Sequence, residues 1–85
     1  MGNLAKLPNI GEVVEQQLNE VGITTYEQLR EVGSKQAWLK IKAIDPSACI
    51  HRLYAFEGAI QGIKKSQLPA GTKAELKDFY NSFKG

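Results

Sequence analysis

Apolar residues recur at the helical period along almost the whole chain, and this feature most constrains the fold. Residues 11–21 carry Val13, Val14, Leu18 and Val21 as the buried stripe of a helix, and later segments repeat the pattern. No sustained run of β-branched residues alternates with polar ones, as a half-buried strand requires. The sequence therefore predicts an all-α fold, a five-helix bundle without a sheet.

Glycines, prolines and capping residues divide the chain into these helices. The first helix stops at Gly22, so that Leu18 and Ile23 take the two contacting positions of a Schellman motif. The expected N-caps of later helices are Thr24 or Thr25, Ser34 and Thr72. The predicted helices cover residues 11–21, 26–32, 34–43 and 48–61, and a loop over 63–71 leads to a last helix from Thr72.

The fourth predicted helix is apolar around so much of its circumference that we expect it at the centre of the bundle. Its two apolar faces are Cys49, Leu53, Phe56 and Ile60, and the small residues Ala48, Ala55, Gly58 and Ala59. The small face predicts the close approach of another helix. The buried stripes predicted for the third and last helices are Ala37, Trp38, Ile41 and Ile44, and Leu76, Phe79, Tyr80 and Phe83.

The composition is that of one folded domain over residues 1–85. Hydrophobic residues make up 42% of the chain and charged residues 24%, which does not fit a disordered segment. No apolar run approaches the ~20 residues that a membrane span needs, and the chain does not open with a signal-peptide pattern. We therefore expect a cytoplasmic protein without membrane contact.

Residues that could support catalysis or hold a metal are sparse. Cys49 and His51, each the only residue of its type, lie two positions apart and would face different sides of a helix. We expect Cys49 to be a small buried residue and His51 to be partly exposed. Glu57 is expected to bond a neighbouring backbone group or to reach solvent. The sequence thus predicts no enzyme, no cofactor and no metal site.

Charge is divided unevenly along the chain, although the net charge is only +2. Residues 1–31 hold two basic residues against five glutamates, a net charge of −3. Residues 32–85 hold nine basic residues against four acidic ones, a net charge of +5. The two halves therefore present different fields to a binding partner.

The segment LPNIG at residues 7–11 carries the most functional information. It places a tight turn immediately before the first helix. The N–H groups of such a turn and of the helix N-terminus point outward together, which favours an anion. Asn9 suits the turn because asparagine tolerates left-handed backbone better than most residues do.

This segment, followed by Leu18, Val21-Gly22-Ile23, Thr25 and Leu29, resembles the helix-hairpin-helix pattern. With RLYAFEGAIQG at residues 52–62 and Leu68-Pro69, the chain from about residue 4 to 80 is similar to the C-terminal domain of the TfoX/Sxy family. The resemblance implies a helix-hairpin-helix (SAM-domain-like) fold, akin to the C-terminal domain of bacterial RNA polymerase α. It also implies a role in regulating natural competence and transcription. Full-length family members carry a further α/β domain, so we expect a free-standing copy of the C-terminal module.

Charge around the turn favours a protein partner over nucleic acid. Glu12 and Glu15 suit the dipole of the first helix, but they would repel a phosphate from the N–H groups that follow Gly11. The residues proposed for binding a partner or nucleic acid are Pro8, Asn9, Ile10, Gly11, Lys64 and Lys65.

The expected function is that of a non-enzymatic regulatory or adaptor module that binds a protein partner. A small core does not need all of the aromatic residues, so some are expected at the surface, among Trp38, Tyr54, Tyr80 and Phe83. Two alternatives stay open. One is weak, sequence-independent DNA binding through the turn and the basic second half. The other is a homodimer through the last helix.

Overall fold

Five α-helices and two short 3₁₀ helices make up the part of the chain that the computed structural model describes, residues 4–84. The α-helices are α1 (Glu12–Glu20), α2 (Tyr26–Val32), α3 (Ser34–Ile44), α4 (Ile50–Gln61) and α5 (Ala70–Lys84). The 3₁₀ helices, Leu4–Lys6 and Lys65–Gln67, precede α1 and α5. No strand occurs over residues 4–84, and the predicted all-α, five-helix fold is confirmed. None of these helices is long and apolar enough to cross a membrane.

Helix α4 lies at the centre of the bundle, as its apolar circumference predicts. It contacts α2, α3, α5 and the second 3₁₀ helix, whereas α1 packs mainly against α3 and the first 3₁₀ helix. Every α-helix contributes to the set of large, fully buried side chains, which are Leu4, Leu18, Ile23, Leu29, Trp38, Ile41, Leu53, Phe56 and Leu76. Each such side chain stabilises the fold by about 1.5–3 kcal/mol, so a domain of this size depends on all five helical stripes.

The end of α1 has the predicted Schellman geometry. Gly22 adopts a left-handed φ of 88°. Its N–H donates to the carbonyl of Asn19 at 3.1 Å, and the N–H of Ile23 donates to that of Leu18 at 2.8 Å. Leu18 and Ile23 are both buried. The motif satisfies the last carbonyls of the helix and anchors the following turn in the core.

Helix α2 takes Thr25 as its N-cap, one of the two registers that the sequence leaves open. Thr25 Oγ1 accepts a hydrogen bond from the N–H of Gln28 at 3.1 Å. The side chain of Gln28 reaches back to the N–H of Thr24, at 2.6 Å. The two threonines thus share the reciprocal capping interaction.

The predicted capping role of Ser34 is wrong. Gly33, with a φ of 88°, both ends α2 and caps α3, so that Ser34 is already helical. Its side chain is buried, and its hydroxyl donates to Glu57 Oε1 on α4 at 2.6 Å. A tertiary contact has therefore replaced the local capping bond.

The predicted start of the last helix is also wrong, because Thr72 lies inside α5. The carbonyl of Pro69 accepts the first helical hydrogen bond, from the N–H of Lys73 at 3.0 Å. Proline suits the beginning of a helix because its φ is already restricted and it has no N–H to leave unpaired. The second 3₁₀ helix further shortens the predicted loop over 63–71.

Four residues that the helical stripes place in the core are exposed, namely Val13, Ile44, Cys49 and Phe83. Ile44 is the last residue of α3, where the chain leaves the helix, and it is 46% exposed. Cys49 is exposed because α4 begins one residue later, which makes it the N-cap rather than part of the apolar stripe. Among the other large members of the stripes of α3 and α4, Trp38, Ile41, Leu53 and Phe56 are fully buried and Ile60 is partly buried.

Candidate binding surfaces

Asn9 lies in the turn before α1 with a φ of 70°. This is the left-handed region that the sequence predicts for it. Its Nδ2 donates to the carbonyls of Ala55 at 3.3 Å and Ile63 at 3.1 Å, and its Oδ1 accepts from the N–H of Lys65 at 3.0 Å. The side chain thereby fixes the turn to α4 and to the loop that follows α4.

Gly58 makes room for this side chain. A β-carbon at Gly58 would lie 2.6 Å from Asn9 Nδ2 and 2.8 Å from the carbonyl oxygen of Ile63. Both distances are shorter than van der Waals contact allows. The prediction that the small face of α4 admits another helix is therefore wrong at Gly58, where a side chain and a loop backbone make the close approach.

Glu15 is buried, and its carboxylate points toward the first 3₁₀ helix. Its Oε2 accepts hydrogen bonds from the N–H groups of Leu4 at 3.0 Å and Ala5 at 3.2 Å. The carboxylate is thus directed away from the N–H groups at the start of α1 and toward those of the first 3₁₀ helix. Of the two glutamates that follow Gly11, Glu12 alone is therefore exposed in the first turn of α1 and free to repel an anion.

A depression of 630 Å³ lies between the Asn9 turn and the loop after α4. Its lining residues are Lys6, Pro8, Asn9, Gly62, Ile63, Lys64, Lys65, Ser66 and Gln67. This lysine depression contains three basic residues and no acidic one. None of the three lysines forms an ion pair within residues 4–84. The field in the depression is therefore positive.

Four of the six residues that the sequence proposes for binding line the lysine depression. The four are Pro8, Asn9, Lys64 and Lys65. Ile10 is instead buried in the core, and Gly11 caps α1 outside the depression. Sequence reasoning misses Lys6, because no local pattern shows that the first 3₁₀ helix and the loop after α4 are neighbours.

Two basic residues of α3 interact within the domain. Lys35 Nζ lies 3.5 Å from Glu75 Oε2 on α5. Lys42 Nζ donates to the carbonyls of Pro46 at 2.5 Å and Ala48 at 3.3 Å. Both ammonium groups already have partners, which leaves the exposed Lys40 as the third basic residue of α3, so α3 is a weaker candidate for nucleic-acid contact than the lysine depression.

An aromatic cleft of 280 Å³ is lined by Trp38, Lys42, Tyr80 and Phe83. Trp38 is fully buried, and its Nε1–H donates to the carbonyl of Cys49 at 3.1 Å. The rings of Tyr80 and Phe83 meet the indole edge to face, with centroids 5.5 and 5.1 Å away. Phe83 nevertheless remains 50% exposed. The expectation that some of the four aromatic residues lie at the surface is thus confirmed by Phe83, whereas Trp38 is buried and Tyr54 and Tyr80 are half-buried.

Residues 1–80 match the family model of the TfoX C-terminal domain. The chain belongs to this family. It is 35% identical over 79 residues to Protein Sxy of Escherichia coli K12. That alignment covers 93% of this chain and 38% of Sxy, so the chain spans well under half the length of this relative. The resemblance to the TfoX/Sxy family is confirmed.

Two crystal structures from Listeria monocytogenes have the same fold as this TfoX C-terminal domain. An uncharacterized protein in a triclinic form superposes with a TM-score of 0.95 at 50% identity, covering 99% of this chain and 96% of the other. A protein of unknown function in a tetragonal form gives a TM-score of 0.92 at 51% identity, covering 95% and 99%. The all-α architecture derived above is therefore shared with proteins whose structures have been solved.

Over residues 4–84, the His, Cys, Asp and Glu side chains of this TfoX C-terminal domain do not gather into a metal-binding or catalytic group. No group of three His, Cys, Asp or Glu residues that could hold a metal occurs within residues 4–84. The exposed His51 ring lies 6.3 Å from that of Tyr54. Glu57 accepts hydrogen bonds from the Ser34 hydroxyl and the Gln61 amide, each at 2.6 Å. Of the two alternatives expected for Glu57, the backbone bond is replaced by bonds from two side chains, and the half-buried carboxylate still reaches solvent.

A polar cluster around Asp45 ties α1 and α4 to the end of α3. The carboxylate accepts hydrogen bonds from the Ser47 hydroxyl at 2.5 Å, the Ser47 N–H at 3.0 Å and the Gln17 amide at 3.0 Å. Arg52 Nη1 lies 3.6 Å from it and donates to Gln17 at 2.7 Å. The Ser47 hydroxyl, followed by the Gln17 amide and the Ser47 N–H, lowers the pKa of Asp45 to about 2.

Proposed function

We propose that this TfoX C-terminal domain is a non-enzymatic regulatory adaptor that binds a partner polypeptide through the aromatic cleft. The observation that supports the proposal most directly is the half-exposed ring of Phe83. This ring borders a cavity whose other side is the buried indole of Trp38. Aromatic residues beside a cavity are frequent energetic centres of protein interfaces.

The cleft suits a single apolar anchor from the partner. Such a side chain would remove the exposed part of Phe83 from water, which stabilises a complex by about 25 cal/mol for each Å² of apolar surface. Lys42 gives the cleft a polar rim, with its Nζ 5.9 Å from the Trp38 ring centroid. An apolar centre within a polar rim is the usual composition of a protein interface.

Family membership supports a regulatory role for this contact. The residues that carry the TfoX/Sxy resemblance imply a function in competence or transcription, and the match to Sxy over 79 residues agrees with it. That match covers 38% of Sxy, so only this part of Sxy is compared with the chain. In this proposal the domain contributes partner recognition and performs no chemistry.

Capture of partner proteins from a nuclease-treated extract of the organism's own cells tests the proposal. Wild type is compared with Phe83→Ser and with Val13→Ser, a control at a residue of α1 that is 69% exposed. We expect at least one polypeptide to bind wild type and Val13→Ser but not Phe83→Ser. Identical capture by all three proteins would contradict the role of the cleft. If the captured polypeptide is this same chain, the partner is a second copy.

Sequence-independent DNA binding is the second candidate, and the lysine depression is the observation that favours it. Contacts from its three lysines to phosphates would give d log K/d log[salt] of about −2.7 on duplex DNA. Against it, the polar atoms of Asn9 are bonded within the domain, and Glu12 is exposed beside the turn. Retention on a column of immobilised duplex DNA at several salt concentrations tests this candidate, since a salt slope near zero rejects it and a slope near the calculated value supports it.

A further inference from the structure

We infer that the lysine depression binds an acidic segment of a protein partner. The depression shares no lining residue with the aromatic cleft. The inference therefore goes beyond the proposed function, because it assigns a ligand chemistry to a second surface. It would hold even if the aromatic cleft had no partner.

The positive charge of the lysine depression is not compensated by acidic residues in its lining. Lys6, Lys64 and Lys65 line one concavity without an acidic neighbour in its lining and without an ion pair over residues 4–84. Ammonium groups held near one another raise the local potential, and an incoming carboxylate lowers it. Lys35 and Lys42, by contrast, already interact with a carboxylate and with carbonyl groups inside the domain.

The backbone around these lysines is held in place before any ligand binds. Asn9 Oδ1 accepts from the N–H of Lys65 at 3.0 Å, and Gln67 Oε1 accepts from that of Lys64 at 3.1 Å. The N–H of Gln67 returns a bond to the carbonyl of Lys64 at 2.9 Å. Binding therefore needs to order the lysine side chains but not the loop, which lowers its entropic cost.

The shape and composition of the depression favour a peptide over duplex DNA. Pro8 and Ile63 contribute to a wall that exposes more apolar than polar surface, and aliphatic side chains of a peptide would cover it. A phosphate backbone makes no use of such a wall. A DNA duplex is convex, so it would rest on the rim of the depression rather than enter it. The first turn of α1 carries the exposed Glu12, which would repel a phosphate at that rim.

Fluorescence anisotropy with the intact chain tests this inference. The probe is a fluorescein-labelled peptide in which glutamate alternates with leucine and serine, and its control has glutamine in place of each glutamate. The variant Lys64→Glu/Lys65→Glu is compared with Lys40→Glu/Lys77→Glu, which changes the net charge equally at exposed residues outside the depression. Circular dichroism verifies that both variants retain their helices.

We expect the glutamate peptide to bind at low salt and the glutamine peptide not to bind. Lys64→Glu/Lys65→Glu should weaken binding roughly tenfold, because two attractions become two repulsions, whereas the control pair should change it less than about twofold. Phe83→Ser should leave peptide binding unchanged, which separates this inference from the proposed function. Equal weakening by both double variants, or no binding of the glutamate peptide, would overturn it. Tighter binding of a random DNA duplex that depends on Lys64 and Lys65 would instead assign the depression to nucleic acid.

Discussion

The side-chain amide of Asn9 packs against the backbone of Gly58 with no room for a β-carbon between them. The same amide bonds to the carbonyls of Ala55 and Ile63 and to the N–H of Lys65. One side chain therefore sets the positions of the turn before α1, of α4 and of the loop after α4. The turn and the loop line the lysine depression, so its shape depends on this contact.

Gly58→Ala should destabilise the domain by about 2 kcal/mol or more, because the new methyl group overlaps Asn9 Nδ2 and the carbonyl of Ile63. Gly71→Ala is the matched control. It lies in α5 with no atom within 4 Å of the added carbon, and it should stabilise the helix by about 0.5–1 kcal/mol. Urea unfolding followed by the emission of Trp38, the one tryptophan, measures both. Equal effects of the two substitutions would contradict the close contact.

Asn9→Ala should destabilise more than Asn9→Gly. Both substitutions remove the hydrogen bonds to Ala55, Ile63 and Lys65. Only alanine also has a β-carbon that disfavours the φ of 70°, which adds about 1 kcal/mol. The difference between the two free energies of unfolding isolates the backbone contribution. If the two variants were equally stable, the left-handed conformation would not be a constraint on this residue.

Asp45 should make stability depend on pH in the acid range. Its folded pKa of about 2 lies below the unfolded value, which is near 3.9 for aspartate. The ionised carboxylate therefore stabilises the fold above about pH 4, and this contribution is lost as the pH falls toward the folded pKa. Urea midpoints of wild type and Asp45→Asn should differ most near neutral pH and converge toward about pH 2. A difference that stays constant over this range would show that Asp45 acts through shape alone.

Phe83→Ser should abolish partner capture while reducing the free energy of unfolding only slightly. Phe83 is half-exposed, whereas Leu76 on the same helix is 2% exposed. Leu76→Ala should therefore cost about 2–5 kcal/mol, and Phe83→Ser less than half as much. Under conditions where both variants remain folded, only Phe83→Ser should lose partner capture. Loss of capture in both would indicate that binding follows stability rather than the exposed ring.

The features that sequence reasoning predicts are those fixed by residues close together in the chain. The Schellman end at Leu18, Gly22 and Ile23 follows from local geometry, as do the bounds of α2. The left-handed Asn9 also follows from its residue type and its place in a turn. A local signal is sufficient in each case because the hydrogen bonds involved span only a few residues.

The sequence does not predict features that depend on contacts between distant segments of the chain. Ser34 is a plausible cap by sequence, yet its hydroxyl bonds to Glu57, 23 residues away. Gly58 signals a close approach, but only the fold shows that Asn9 makes it. In the candidate site, Lys64 and Lys65 follow from charge, whereas Lys6 joins them only when the first 3₁₀ helix packs beside the loop.

In our proposal the domain acts through protein contacts rather than through DNA. A fluorescence-anisotropy titration of a labelled random DNA duplex, at low and at moderate salt, distinguishes these two modes of action. We predict no binding tighter than ~10⁻⁴ M, the weak edge of ordinary non-specific affinity. Micromolar binding that fades steeply with salt, and that Lys64→Glu/Lys65→Glu abolishes, would contradict it and identify a DNA-binding domain.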